Sequence, residues 1–266
     1  MSLSLPQNIS SKALSELLIA MADDELVLGH RDSEWTGHSP ILEEDIAFSN
    51  LAQDEIGHAL VWLSINEELG GKNPDWMGFE RPWNEFTSCR FVQYPKGDYA
   101  YTVVRQFLFD AAEKVRLTSL RSSTFQPLRE AAEKILREEH YHLLHSQGMV
   151  ERLGNATEES HTRMQAAVEI AFPQSLGVFE LLFSEQELVS GGAMTANSTL
   201  QQQWLTLIGP VLERSSLKIP VAFSNATYSV SCKADVGGRV HNHTSHLASL
   251  VKDLQSVYQL APDSKW

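Results

Sequence analysis

Apolar residues recur through the first half of the chain at spacings of three, four and seven, the mark of helices that bury one face. From about Ser11 to Gly29, Leu14, Leu18, Met21 and Leu28 form such a stripe. Gly37, Ser39 and Pro40 interrupt it. Pro40 suits the first turn of a second helix, and Glu43, Glu44 and Asp45 favour its positive N-terminal end. That helix is predicted to run to Gly70-Gly71, with Phe48, Leu51, Trp62 and Ile65 on one side. Residues 72–98 read as a long excursion, with Trp76, Phe79, Trp83, Phe86, Phe91 and Tyr94 expected as packing anchors. A third helix begins near Asp98, turns Val103, Phe107 and Leu117 inward, and pauses at Ser122-Ser123-Thr124. A fourth runs from about Gln126 to Leu153, closed by Gly154-Asn155. Later helices are predicted over Glu158–Val189, Ser198–Arg214 and His243–Gln259, with a kink or break at Pro173. Val221–Val230 has the β-branched and aromatic content of a short strand or extended arm. Strands do not alternate with helices, so a parallel sheet is not expected. The prediction is one all-α domain over residues 1–266, a four-helix bundle over about 10–155 with additional C-terminal helices over about 156–266.

Polar residues interrupt these stripes at telling places. In the second helix the inward series reads Phe48, Leu51 or Ala52, Glu55, His58 or Ala59, Trp62, Ile65. In the fourth it reads Leu128, Ala132, Ile135, Glu139, His142, Ser146. Both series carry Glu-x-x-His, whose spacing sets carboxylate and imidazole on one helix face. The first helix puts Glu25 into its seam after Met21, and the third puts Asp110 there after Gln106. Asp23 and Asp24 are near alternatives to Glu25, read as lying outside the seam; Glu113, one turn on, competes with Asp110, which is preferred. Four buried carboxylates need a counter-charge, because even one unpaired buried ion costs several kcal/mol. Oxygen and imidazole donors suit iron, with manganese as the alternative. A carboxylate from each of two helices plus Glu-x-x-His from each of two others is the ferritin-like di-iron pattern. The candidate metal ligands are therefore Glu25, Glu55, His58, Asp110, Glu139 and His142.

Composition narrows the partners. Acidic residues number 34 and basic ones 21, a formal charge of −13, which argues against nucleic acid and anionic membranes. No apolar run reaches the roughly 20 residues of a membrane span, and the start lacks the look of a signal peptide. Cys89 and Cys232 stand far apart, which favours a reduced, cytoplasmic setting.

The sequence resembles the PaaA/PaaC family, the ferritin-like subunits of bacterial phenylacetyl-CoA epoxidase. The resemblance spans nearly the whole chain. It rests on Leu28-Gly29-His30-Arg31, Glu34-Trp35-x-Gly37-His38-x-Pro40, Asn50-Leu51-Ala52-x-Asp54 and Arg105-Gln106-Phe107-x-x-Asp110. It extends to Glu138 through His142, Glu151-Arg152-Leu153-Gly154-Asn155, Gly237-Gly238-x-x-His241 and His243-Thr244-x-His246-Leu247. The flanking motifs look most like the C-type chain, usually described as structural. C-type chains have lost most metal ligands, whereas this sequence keeps a full set similar to that of the catalytic A-type chain. The resemblance implies a multicomponent monooxygenase of phenylacetate catabolism. Two ferrous ions would activate dioxygen and one oxygen atom would add across the ring of a CoA thioester. It also implies a homologous ferritin-like partner subunit in an oligomeric assembly. No flavin, nicotinamide or iron–sulfur fingerprint is present, so electrons must come from a separate reductase component.

Two rival functions fit the same residues: a non-catalytic scaffold for the catalytic chain, and a ferritin-like iron-binding ferroxidase. Glu138, His140 and His145 are expected on other faces of the fourth helix, and Trp62 and Tyr141 are expected to pack. His243-Thr244-Ser245-His246 is read as a helix start at a subunit interface, capped by Thr244 or Ser245. His30, Arg31, Arg105, Arg116 and Arg137 are candidates for CoA phosphates, each equally suited to pairing with a carboxylate.

Overall fold

The computed structural model of the chain describes residues 4–262 and residue 264. In chain order these form α1 (Ser11–Ser33), α2 (Leu42–Glu68), α3 (Arg90–Gln93), α4 (Tyr99–Leu120) and α5 (Gln126–Ala156). There follow α6 (Glu158–Ser175), α7 (Glu185–Ser190), α8 (Asn197–Arg214), the strands β1 (Val221–Ser224) and β2 (Thr227–Val230), and α9 (Leu247–Gln255). The fold is all-α, the two strands forming only a small antiparallel hairpin. No helix among the described residues is long and apolar enough to cross a membrane. Contacts cluster into two compact units.

The first unit comprises residues 1–95, 182–184 and 237–266. Ser10 starts α1 by accepting the Ala13 N–H at 3.1 Å, one of the donors a helix start leaves open. Ser15 bonds to Asn66 of α2, whereas Gly29 lies against Ala52, so α1 and α2 run antiparallel. Pro40 falls outside α2 rather than in its first turn, since the extended residue Ile41 precedes Leu42. The helix stops as expected, with Gly70 at φ 96, a backbone that residues with a Cβ resist. The excursion after α2 is not plain loop. It holds a π-helical turn at Trp76–Glu80, a 3₁₀ turn at Trp83–Glu85 and α3. Phe86 and Phe91 are fully buried anchors, whereas Trp83 is exposed.

The second unit comprises residues 96–181 and 185–236. Asp98 caps α4 by accepting the Tyr101 N–H at 2.9 Å. Contrary to the sequence reading, Gly154 and Asn155 lie inside α5, which continues to Ala156. Thr157 and Ser160 then form a reciprocal capping box that starts α6. The predicted helix over Glu158–Val189 is broken. Pro173 sits in the last turn of α6, which gives way to a 3₁₀ turn at Leu176–Phe179 before α7. Trp204 of α8 stacks on Phe172 of α6 at 5.7 Å and donates its Nε1–H to the Leu108 carbonyl of α4 at 3.0 Å. Asn225 and Ala226, both at positive φ, make the tight turn between β1 and β2.

Candidate metal centre

In the first unit, α1 is enclosed on all sides: every residue from Ala20 to Gly29 is buried. Asp23 and Asp24, read from the periodicity as lying outside the seam, are nonetheless buried, both 0% exposed. Each is neutralised by an arginine. Arg81 pairs with Asp23, which also accepts the Thr87 N–H at 2.6 Å. Arg239 donates to both carboxylate oxygens of Asp24, at 2.9 and 2.5 Å, and to the carbonyls of Ala20 and Thr87. With those two acids engaged by arginines, Glu25 is the α1 carboxylate that meets α2. Its ligand atoms, with those of Glu55 and His58, all lie within 4.8 Å of one another, and all three residues are buried. Gly29 permits this approach: a Cβ there would stand 3.0 Å from the Ala52 carbonyl and 3.0 Å from the Glu55 Cβ. Trp62, one turn beyond His58, is fully buried as expected.

In the second unit, Asp110 of α4 and Glu139 of α5 are 0% exposed and His142 is 5% exposed. His142 Nδ1 lies 3.1 Å from Glu139 Oε1. Asp110 accepts hydrogen bonds from Ser146 at 2.6 Å and Gln106 at 2.7 Å. Burial, and then the negative charge of Glu139, push the Asp110 carboxyl well above the ordinary carboxylate range. His142 and the two hydrogen bonds pull the other way. The competing Glu113 is equally buried and pairs with Arg116 at 3.1 Å. Ser146 and Gln106 were not assigned a role from sequence, yet their signal was present: each lies four residues from a predicted ligand on the same helix face.

The remaining candidates fall elsewhere. His140 is exposed and Tyr141 is 69% exposed, its ring against His140 rather than packed in the core. Arg31 holds Glu34 at 2.6 Å and the Gln93 carbonyl at 2.8 Å, and Arg105 is fully buried. At His243–His246 the sequence anticipated a helix cap. Thr244 instead accepts the His246 N–H just outside α9, whose start has no side-chain cap. The segment docks on the excursion, with His243 Nδ1 3.0 Å from Gln93 Nε2 and His241 Nδ1 3.0 Å from the Phe86 carbonyl.

The donors present fit iron or manganese. Two carboxylates and an imidazole converge away from water in the first unit, and a second Glu-x-x-His pair stands beside an acid in the other.

The chain is similar over 78% of its length to a Synechococcus protein with aldehyde deformylating oxidase activity, covering 91% of that chain (TM-score 0.56, 16% identity). At that identity the likeness shows the fold alone, all-α and ferritin-like. The C subunit of 1,2-phenylacetyl-CoA epoxidase from Escherichia coli K12 is 30% identical over 254 residues, 95% of this chain and 99% of that protein. A family model described as phenylacetic acid catabolic protein matches residues 4–266. The chain belongs to that phenylacetic acid catabolic protein family.

Proposed function

We propose that this chain is a subunit of a phenylacetyl-CoA epoxidase-type oxygenase and carries its own di-metal centre. Glu25, Glu55, His58, Asp110, Glu139 and His142 would hold the metals. The observation that carries this reading is the buried cluster of Glu25, Glu55 and His58, in a chain whose α5 repeats the same Glu-x-x-His motif. Iron held by these residues would supply the redox chemistry with dioxygen. The protein's part is to fix the donors and exclude water. Ser146 and Gln106 orient the Asp110 carboxylate, leaving it little freedom to rotate. Gly29 keeps α1 close enough for Glu25 to share a site with Glu55. The relative's name supports a CoA thioester substrate and an assembly of several subunits, here with a homologous ferritin-like subunit and a reductase. Two free cysteines, one of them buried, accord with the reducing cytoplasm.

Metal analysis of purified chain after anaerobic and aerobic loading tests this. The expectation is about two irons per chain, and Glu55→Ala/Glu139→Ala should abolish the uptake. Below about 0.1 iron or manganese per chain, the di-metal reading fails and the scaffold role stands in its place. Normal uptake by the double variant would show that the ligands were misassigned.

A further inference from the structure

The outer side of the α4–α5 pair carries a cleft of about 650 Å³, lined by Lys114, Arg121, Glu133, Leu136, Arg137, His140 and Tyr141. Helical spacing builds it. Lys114 and Arg121 are seven apart on one face of α4, and Glu133, Leu136, Arg137 and His140 recur at three and four along α5. At about 1.5 Å per residue the cleft is on the order of 10 Å long.

Several of the chain's arginines find carboxylates. Arg31, Arg81, Arg116, Arg163, Arg214 and Arg239 all do so. Among the described residues Lys114, Arg121 and Arg137 have no ion pair, although Glu133 lies in the same cleft. Arg121 has a second reason for its place, since it caps the negative end of α4. Lys114 and Arg137 lie mid-helix and have none. With histidine neutral, the cleft carries 3 − 1 = +2 in a chain of −13. Beside these cations stands Tyr141, 69% exposed, its ring 5.5 Å from that of His140. An exposed aromatic next to unpaired guanidinium groups offers a flat face to a ring and forked donors to phosphate.

We propose that this cleft binds a nucleoside diphosphate group, with Lys114, Arg121 and Arg137 holding the phosphates and Tyr141 stacking on the base. The assignment does not rest on the metal reading, and chelator-treated protein keeps the two apart.

Isothermal titration of the full chain with inorganic pyrophosphate and with ADP, at about 20 and about 200 mM salt, tests it. Pyrophosphate should bind with a dissociation constant below about 1 mM at low salt and weaken severalfold at high salt. Arg137→Glu should weaken it at least about tenfold, and Lys114→Gln should weaken it in the same direction by less. Arg152→Glu makes the same charge change at an exposed arginine outside the cleft, and should weaken binding less than about twofold. ADP should bind more tightly than pyrophosphate, and Tyr141→Ala should remove that advantage. Absence of pyrophosphate binding, or equal loss in the Arg137 and Arg152 variants, overturns the site. ADP binding no tighter than pyrophosphate overturns the stacking role of Tyr141.

Discussion

Replacing Arg239 with Met removes the counter-ion of an aspartate that no solvent reaches. Asp24 is 0% exposed, and the Arg239 side chain is itself only 5% exposed, so water neither screens the pair nor replaces the lost partner. Breaking a buried pair from one side costs about 3–5 kcal/mol, because the remaining charge stays buried. The carbonyls of Ala20 and Thr87 lose a donor in the same step, while the Cys89 N–H still donates to Asp24 at 2.7 Å. The expected total is about 4 kcal/mol. At about 2–4 °C per kcal/mol for a chain of this size, Tm should fall by about 10 °C. Asp24→Asn in the same protein removes the stranded charge, so the double variant should recover about 2 kcal/mol relative to the sum of the single changes. Urea denaturation followed by circular dichroism measures all four proteins. A loss below about 1 kcal/mol for Arg239→Met alone would refute the reasoning, because only an exposed pair is that weak.

A methyl group at Gly29 would press on the Ala52 carbonyl and on Glu55, so Gly29→Ala should cost about 1–3 kcal/mol and reduce metal uptake. Gly57 on the neighbouring helix has nothing within 4 Å of an added Cβ, so Gly57→Ala should gain up to about 1 kcal/mol; equal gains in both would mean the helices are not in close contact at Gly29. Burial and then the neighbouring His241 hold His243 below its ordinary value of about 6.5. The unfolded chain therefore takes up the proton first: the contribution is full above about 6.5 and is lost as pH falls through the lower folded value. Tm between pH 8 and 5 should fall more steeply in the native chain than in His243→Gln, and identical profiles would contradict this.

Much of the candidate centre was legible because a ligand helix has to break its own apolar stripe. Glu55 with His58 and Glu139 with His142 occupy positions where burial demands Leu or Ala, and three-residue spacing alone sets each pair on one face. The same argument selects Glu25 and sets its neighbours outside the seam, but it does not show that those neighbours are buried. Periodicity assumes one dry face and one wet one. Over residues 20–29 α1 has no wet face, so Asp23 and Asp24 are as buried as Glu25. Their partners, Arg81 and Arg239, lie 58 and 215 residues away along the chain. No local pattern can announce a pairing at that separation.

Helix ends show the same division. Asp98 and Gly70 act within a single turn, through one carboxylate and one backbone angle, and the sequence placed both. Gly154-Asn155 has the composition of a stop, yet α5 runs on to Ala156, where the Thr157–Ser160 capping box begins the next helix. By itself the sequence determined the main bundle helices, the faces that carry acid and imidazole, and the net charge that argues against nucleic acid, since each follows from local spacing or simple summation. The tertiary structure alone decided which acids meet arginine and which meet another carboxylate or an imidazole, because that depends on what distant segments bring to the same buried point.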